Sequence, residues 1–320
     1  MSTSDGSVCL LQSLGLLGIR GPDTLPFLQG QLSNDVGALA EAAARPAPAD
    51  APALLRAGLH SPQGRTLAVL GLCAAGPDEV LAVLPRELVG VTRATLQRYV
   101  LRSKVTLTDE SEAYRLYGLT GGAGGDDGRR TAGGISVRYE GARRLLVLSA
   151  AAPAPAGAVL PYEAWHAADV AAGLPQVYAA TSGQFVAQML NLDCIGAISF
   201  TKGCYTGQEV IARAHYRGRV KRRMQRFITR DPLQLTIAPG NEGELSEGGS
   251  FRLVDSVLHA DGRCELLAVT ALRTPTGQMS RGVESANAQG DAPESLLAPP
   301  SRPSLRLQVD PLPLPYALPD

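Results

Sequence analysis

The chain has little that would tie it to a membrane, a metal or an oxidising compartment. Its 320 residues include five cysteines, Cys9, Cys73, Cys194, Cys204 and Cys264, and no C-x-x-C pair. An odd count without paired spacing argues against a disulfide framework, and no metal is expected because no zinc or cluster motif is visible. Reduced thiols are then the default. Lys and Arg number 30, as do Asp and Glu, which leaves no global field to draw in nucleic acid or membrane. No apolar run approaches the roughly 20 residues of a membrane span. The first residues lack the basic start and A-x-A site of a signal peptide, and they are not an Arg-rich amphipathic presequence. A cytoplasmic location is expected. Aromatic residues make up 5% of the chain, with Trp165 the one tryptophan, and no RNA-binding motif is present.

What is there describes a globular protein, 45% hydrophobic and 19% charged, of a length suited to two or three domains. Stretches 37–57, 150–161 and 285–303 are rich in Ala, Pro or Gly and read as connectors. Leu25, Leu28 and Leu32 recur at helical spacing behind Gly21-Pro22. Ile135, Val137 and Tyr139 alternate as a strand, and 144–148 supplies another. Residues 163–172 read as a helix closed by Gly173. Thr181 and Gln184 have capping-box spacing, which predicts a further helix carrying Phe185, Val186, Met189 and Leu190. Beyond residue 220 the pattern turns to short strands at 227–230, 251–258, 266–272 and 305–309. The sum is an α+β body with an all-β C-terminal module.

One segment carries chemistry. Residues 202–209 read Lys-Gly-Cys-Tyr-Thr-Gly-Gln-Glu. Thr206 and Glu209 have capping-box spacing, so a helix is expected from about Gly207 to Ala214. Cys204 would precede that helix, where partial positive charge gathers, and Lys202 would add a full charge. Both favour thiolate. Between residues 210 and 230 there is no acid, while Arg213, Arg217, Arg219, Lys221, Arg222, Arg223 and Arg226 are basic. This is a candidate patch for an anionic partner or, alternatively, a solvated strand edge guarded by charge.

The 202–209 motif, continuing through Ala212-Arg213 and Tyr216-Arg217-Gly218 to Lys221-Arg222, resembles the signature of the YgfZ family. Further similarity lies at Gly21-Pro22-Asp23, 27–31, Ser61-Pro62-Gln63-Gly64-Arg65, 101–105, 172–175, 181–185, 191–200 and Leu314-Pro315-Tyr316. The resemblance implies a fold like the glycine-cleavage T-protein: two α/β, ferredoxin-like domains around a central folate-binding channel, plus a C-terminal β-barrel. It implies domains of 1–50 with 155–222, of 51–154 and of 223–320. The implied function is that of a folate-binding accessory factor for iron–sulfur protein assembly or repair, supporting tRNA thiomodification indirectly. Tetrahydrofolate, or a related reduced folate, is the implied cofactor. Iron–sulfur client or assembly proteins are the implied partners of a monomer.

The rival class is a true aminomethyltransferase, which needs a carboxylate beside the folate amine. No carboxylate lies between Asp50 and Asp78, where the T-protein places one, and its Glu-Ala-Gly segment is here Ala171-Ala172-Gly173. Cys204 also stands where the T-protein motif tends to carry Asp. A direct tRNA-binding protein ranks last. Under the resemblance, Trp165 stands where family members have a folate-contacting tryptophan, and Asp169, from a neighbouring turn, is read as a substitute for the missing Glu. Gln208, Arg213 and Arg217 complete the expected binding set with the basic segment on the glutamate tail, and Cys204 with Lys202 is the chemically active pair. Leu14 replaces a second tryptophan common in the family.

Overall fold

The computed structural model describes residues 6–44, 54–121, 130–131, 134–218, 220–246, 248–272 and 305–319. The expected connector at 285–303 and the basic residue Arg219 lie outside the described residues. Five helices are present there: α1 (Thr24–Gln31), α2 (Gly37–Ala44), α3 (Arg86–Gln97), α4 (Tyr162–Ala171) and α5 (Gln208–Tyr216). None is long and apolar enough to cross a membrane.

Three sheets organise the chain. The first is antiparallel, with strands in the order Leu55–His60, Thr66–Gly76, Glu79–Pro85, Leu14–Arg20 and Thr106–Asp109. Its middle strands are buried on both faces. Leu17, Ile19, Leu70, Leu72, Val80, Ala82 and Leu84 enter one core, shared with α1 and α3. Leu16, Cys73, Leu81 and Val83 enter another, shared with the second sheet and α4. Each large aliphatic side chain so buried contributes about 1.5–3 kcal/mol. Double burial removes polar alternation, so Thr66–Gly76 and Glu79–Pro85 carry no period-two signature.

The second sheet runs Ala158–Val159, Ser7–Leu10, Tyr114–Thr120, Arg143–Ser149, Gly134–Glu140 and Arg130–Thr131. Sheet membership therefore differs from the expected division into 1–50 with 155–222 and 51–154. Strands from 55 to 85 pair with Leu14–Arg20, whereas those from 114 to 149 pair with Ser7–Leu10. Residues 7–20 feed both sheets, which composition alone does not reveal. The stretch 37–57 is also more than a connector, since it contains α2 and the start of a strand.

The third sheet is ordered Leu305–Leu307, Glu242–Leu245, Ser250–Leu258, Cys264–Ala271, Arg222–Thr229 and Val309–Leu312. Its two edge strands are consecutive in the chain, separated by Gln308 alone. The sheet must curl to bring these two strands side by side in the chain, and it forms the curled, half-barrel version of the β-barrel expected for the C-terminal module. Phe227, Phe251, Leu253, Leu266, Ala268 and Val309 fill its interior. Met224, Val254, Val257, Leu267 and Val269 face outward into the core of the first sheet.

Two local expectations fail. Residues 181–190 do not form an α-helix: Thr181 Oγ1 accepts from Tyr178 N at 2.9 Å, and only a 3-10 turn, Ala187–Leu190, follows. The side-chain bond is spent on a turn rather than a cap.

Candidate functional site: a cysteine segment and a cleft

Segments that are distant in the sequence meet around residues 202–209. Lys202 is buried, and its Nζ donates to Gln29 O (2.7 Å), Leu32 O (2.6 Å) and Asn34 O (2.9 Å). It thereby satisfies carbonyls at the C-terminal end of α1. An ammonium has three donors, so none remains for a thiolate. The expected pairing of Lys202 with Cys204 is corrected: Lys202 is a structural pin. Burial pulls it down to about 8, opposed by Asp35.

The second local failure concerns the cap of α5. Its N-cap is Gly207 at φ 82°, with no side-chain cap. Thr206 Oγ1 turns instead to Gln31 Oε1 at 3.3 Å, and Glu209 pairs with Arg213 at 2.9 Å one turn on. A Cβ on Gly207 would meet Ser61 O at 2.5 Å, and one on Gly64 would meet Val210 Cβ at 2.8 Å. The 61–65 turn and the start of α5 thus interlock where neither can carry a side chain. Arg65 and Thr66 bond in turn to Gln184 and Phe185. Four of the resembling segments form one assembly.

Cys204 lies on its surface and is the one exposed cysteine of the five. Helix α5 begins four residues later, at Gln208, beyond the first-turn reach of its dipole. Burial pushes the other four thiols up: Cys9, Cys194 and Cys264 to about 11 and Cys73 to about 12.

Among the described residues, the basic run does not form one patch. Arg213 is held by Glu209. Arg223 is buried and grips Asp193 through both terminal nitrogens, at 2.9 and 2.8 Å. Arg226 pairs with Glu265 at 2.6 Å, and Arg222 bonds Ser250. Arg217 and Lys221 are exposed.

A cleft opens elsewhere, between the first two sheets. One cavity is lined by Leu14, Arg56, Leu70, Tyr139, Leu174 and Gln176, among others. A second is lined by Leu14, Trp165, His166, Asp169, Gln176 and Tyr178, among others. Leu14 and Gln176 border both. The enclosed spaces are about 30 and 20 Å³, room for single waters. Trp165 is 1% exposed, packs 5.2 Å from Tyr139 and has Arg143 4.8 Å over its ring. Its Nε1–H is buried without a partner. Asp169 accepts from Arg143 at 2.6 Å and from Tyr139 Oη at 3.3 Å. Burial raises its carboxyl above the usual range, against the pull of Arg143.

The two expected folate contacts, Trp165 and Asp169, are thus brought together. Gln208, Arg213, Arg217, Lys202 and Cys204 line neither cavity. Reading the sequence missed Arg56, Tyr139, Arg143, His166 and Gln176. Gln176 follows directly on the resembling 172–175 segment; the others carry no local signal.

No family model matches the chain. A tRNA-modifying protein YgfZ from Serratia proteamaculans is 33% identical over 278 residues, covering 78% of each chain. Its counterpart from Escherichia coli O157:H7 is 32% identical, covering 78% of this chain and 79% of that one. Among solved structures, the glycine cleavage system aminomethyltransferase T from Bartonella henselae aligns with a TM-score of 0.62 at 12% identity, over 84% of this chain and 79% of that one. The last comparison speaks for the fold alone.

Proposed function

The chain belongs to the YgfZ family, and from that premise we propose that it is a folate-binding accessory factor for the assembly or repair of iron–sulfur proteins, which supports tRNA modification through them. The observation that carries the cofactor reading is the cleft beside Trp165. A buried indole N–H without a partner costs about 1–3 kcal/mol, and a ligand acceptor would recover it. The same cleft offers Asp169, whose carboxylate can accept from an aminopyrimidine. Arg56 lines the cavity at the other end, ion-paired with Glu140 at 3.2 Å, whereas Arg213 and Arg217 lie off the cleft. The donor set fits a reduced folate. The enclosed spaces, about 30 and 20 Å³, hold only waters, so a bound folate requires the walls of the cleft to move apart. When bound, a reduced folate supplies a carrier nitrogen for one-carbon units.

Cys204 supplies the client-facing thiol in this reading, through its exposure rather than through Lys202. Aminomethyl transfer is disfavoured, because Thr66–Gly76 contains no carboxylate to sit beside the folate amine. Direct binding of tRNA is disfavoured because Arg213, Arg223 and Arg226 are already paired.

Calorimetric titration with tetrahydrofolate tests the cofactor half. Heat of binding with quenching of the lone tryptophan is expected; neither signal at high ligand would refute it. In cells lacking the native gene, Cys204→Ala should abolish rescue of iron–sulfur enzyme activity and Cys194→Ala should not. The reverse pattern would identify the wrong thiol. A methylamine-loaded lipoyl carrier should give no turnover.

A further inference from the structure

The barrel strand Ser250–Leu258 contains a bulge. Leu253 faces Ala268 on the neighbouring strand, and Asp255, not Val254, faces the next residue, Leu267. Phe251 and Leu253 fill the barrel interior. A regular strand alternates with period two, so it would send Asp255 inward after them. The extra residue shifts the carboxylate to the outer face. There it is 2% exposed, and accepts from His166 Nε2 and Tyr178 Oη, each at 3.0 Å, and from Ser256 N at 2.8 Å. A carboxylate that would have been stranded in an apolar barrel is instead delivered, fully bonded, to a histidine on α4.

His166 follows Trp165 in α4, stacks on Tyr162 (5.5 Å, 26°) and lines the cavity that Trp165 and Asp169 line. Asp255 engages its Nε2 and leaves Nδ1 as the other ring nitrogen. A carboxylate held this way fixes the tautomer of a histidine: the neutral ring keeps its proton on Nε2 and presents Nδ1 as an acceptor. The protonated ring presents Nδ1–H as a donor. Burial disfavours that cation, but the hydrogen bond and charge of Asp255, with Asp169 and Glu163 on the same helix, outweigh burial and raise His166 above its ordinary value. Tyr162 and Tyr178 are the other titratable groups against it, and burial pushes both up, so they stay neutral.

We propose that the cleft reads an oxygen acceptor of its cofactor, of the ring-carbonyl or carboxylate class, through His166 as a proton-carrying donor aimed by the barrel residue Asp255, with Trp165 Nε1–H as the second donor. The proposal rests on the folate reading of the cleft and assigns the barrel a part in it. Binding then takes up a proton whenever the free protein has neutral His166. Above the histidine's pKa, affinity falls toward tenfold per pH unit.

The test is calorimetry with tetrahydrofolate, kept reduced, from pH 6 to 9 in two buffers of different ionisation heat, alongside NMR titration of the His166 ring in the wild-type protein. Expected are a ring that titrates above the ordinary histidine value, proton uptake on binding at high pH, and weakening affinity over the same range. His166→Gln should bind about tenfold more weakly at pH 6, with a flat pH profile and no proton uptake. Asp255→Asn should move the onset of weakening to lower pH. Binding that is indifferent to pH, a ring titrating at or below its ordinary value, or an unchanged profile in His166→Gln would overturn the inference while leaving the folate reading intact. No heat with wild-type protein at any pH would overturn both.

Discussion

The cleft beside Trp165 and the chain from residue 202 to 226 treat charge in opposite ways. Around the cleft, Arg56, Asp169 and His166 line the cavities, and Arg143 and Asp255 pair with the last two, so that residues from two sheets, a helix and the barrel converge on one small region. From 202 onward the cations are neighbours in sequence and are dispersed on folding. Lys202 goes to the end of α1, Arg213 to Glu209, Arg223 to Asp193 and Arg226 to Glu265. The difference teaches that a run of like charge is not a site until its partners are counted. A site can equally be assembled from residues with no local pattern.

The sharpest way to break this comparison is at Arg223. If the basic run were a solvated patch, Arg223→Met would leave stability nearly unchanged. We expect a loss of about 4 kcal/mol in urea unfolding, because Asp193 is left charged and buried. Lys202→Met should cost about 3 kcal/mol by the same measurement, since it strands three carbonyls that a single ammonium satisfied. Cys204 marks the opposite extreme. Cys204→Ala should change stability by less than about 0.5 kcal/mol. In the native wild-type protein, brief iodoacetamide treatment should label Cys204 and spare the four thiols that burial keeps protonated; labelling of Cys194 at a comparable rate would undo the contrast.

The family-like segments of the sequence announced the fold well, and they cluster where they should: 27–31, 61–65, 181–185 and 202–209 form one assembly. Helices α1 and α4 and the strands Gly134–Glu140, Arg143–Ser149, Ser250–Leu258 and Cys264–Ala271 were legible from period and punctuation, and α5 was placed where expected although its capping box does not form. The first sheet was not, because strands buried on both faces lose alternation. The role of Lys202 was hidden because its acceptors lie about 170 positions away. Trp165 could be named from the resemblance, and Asp169 from its place one helical turn on, near the missing Glu. His166 could not be, because its partner Asp255 is 89 positions on, and only a bulge turns that carboxylate toward it.

The single run of residues from Leu305 to Leu312 stitches both rims of the barrel at once. During synthesis, strands Arg222–Thr229 and Glu242–Leu245 must therefore wait, each with an open hydrogen-bonding edge, until residues 305–312 leave the ribosome. Nascent or truncated chains stopping short of Leu305 would leave both strands unpaired on one side, where the folded protein pairs them with Val309–Leu312 and Leu305–Leu307, and protein quality control would meet them as ready substrates.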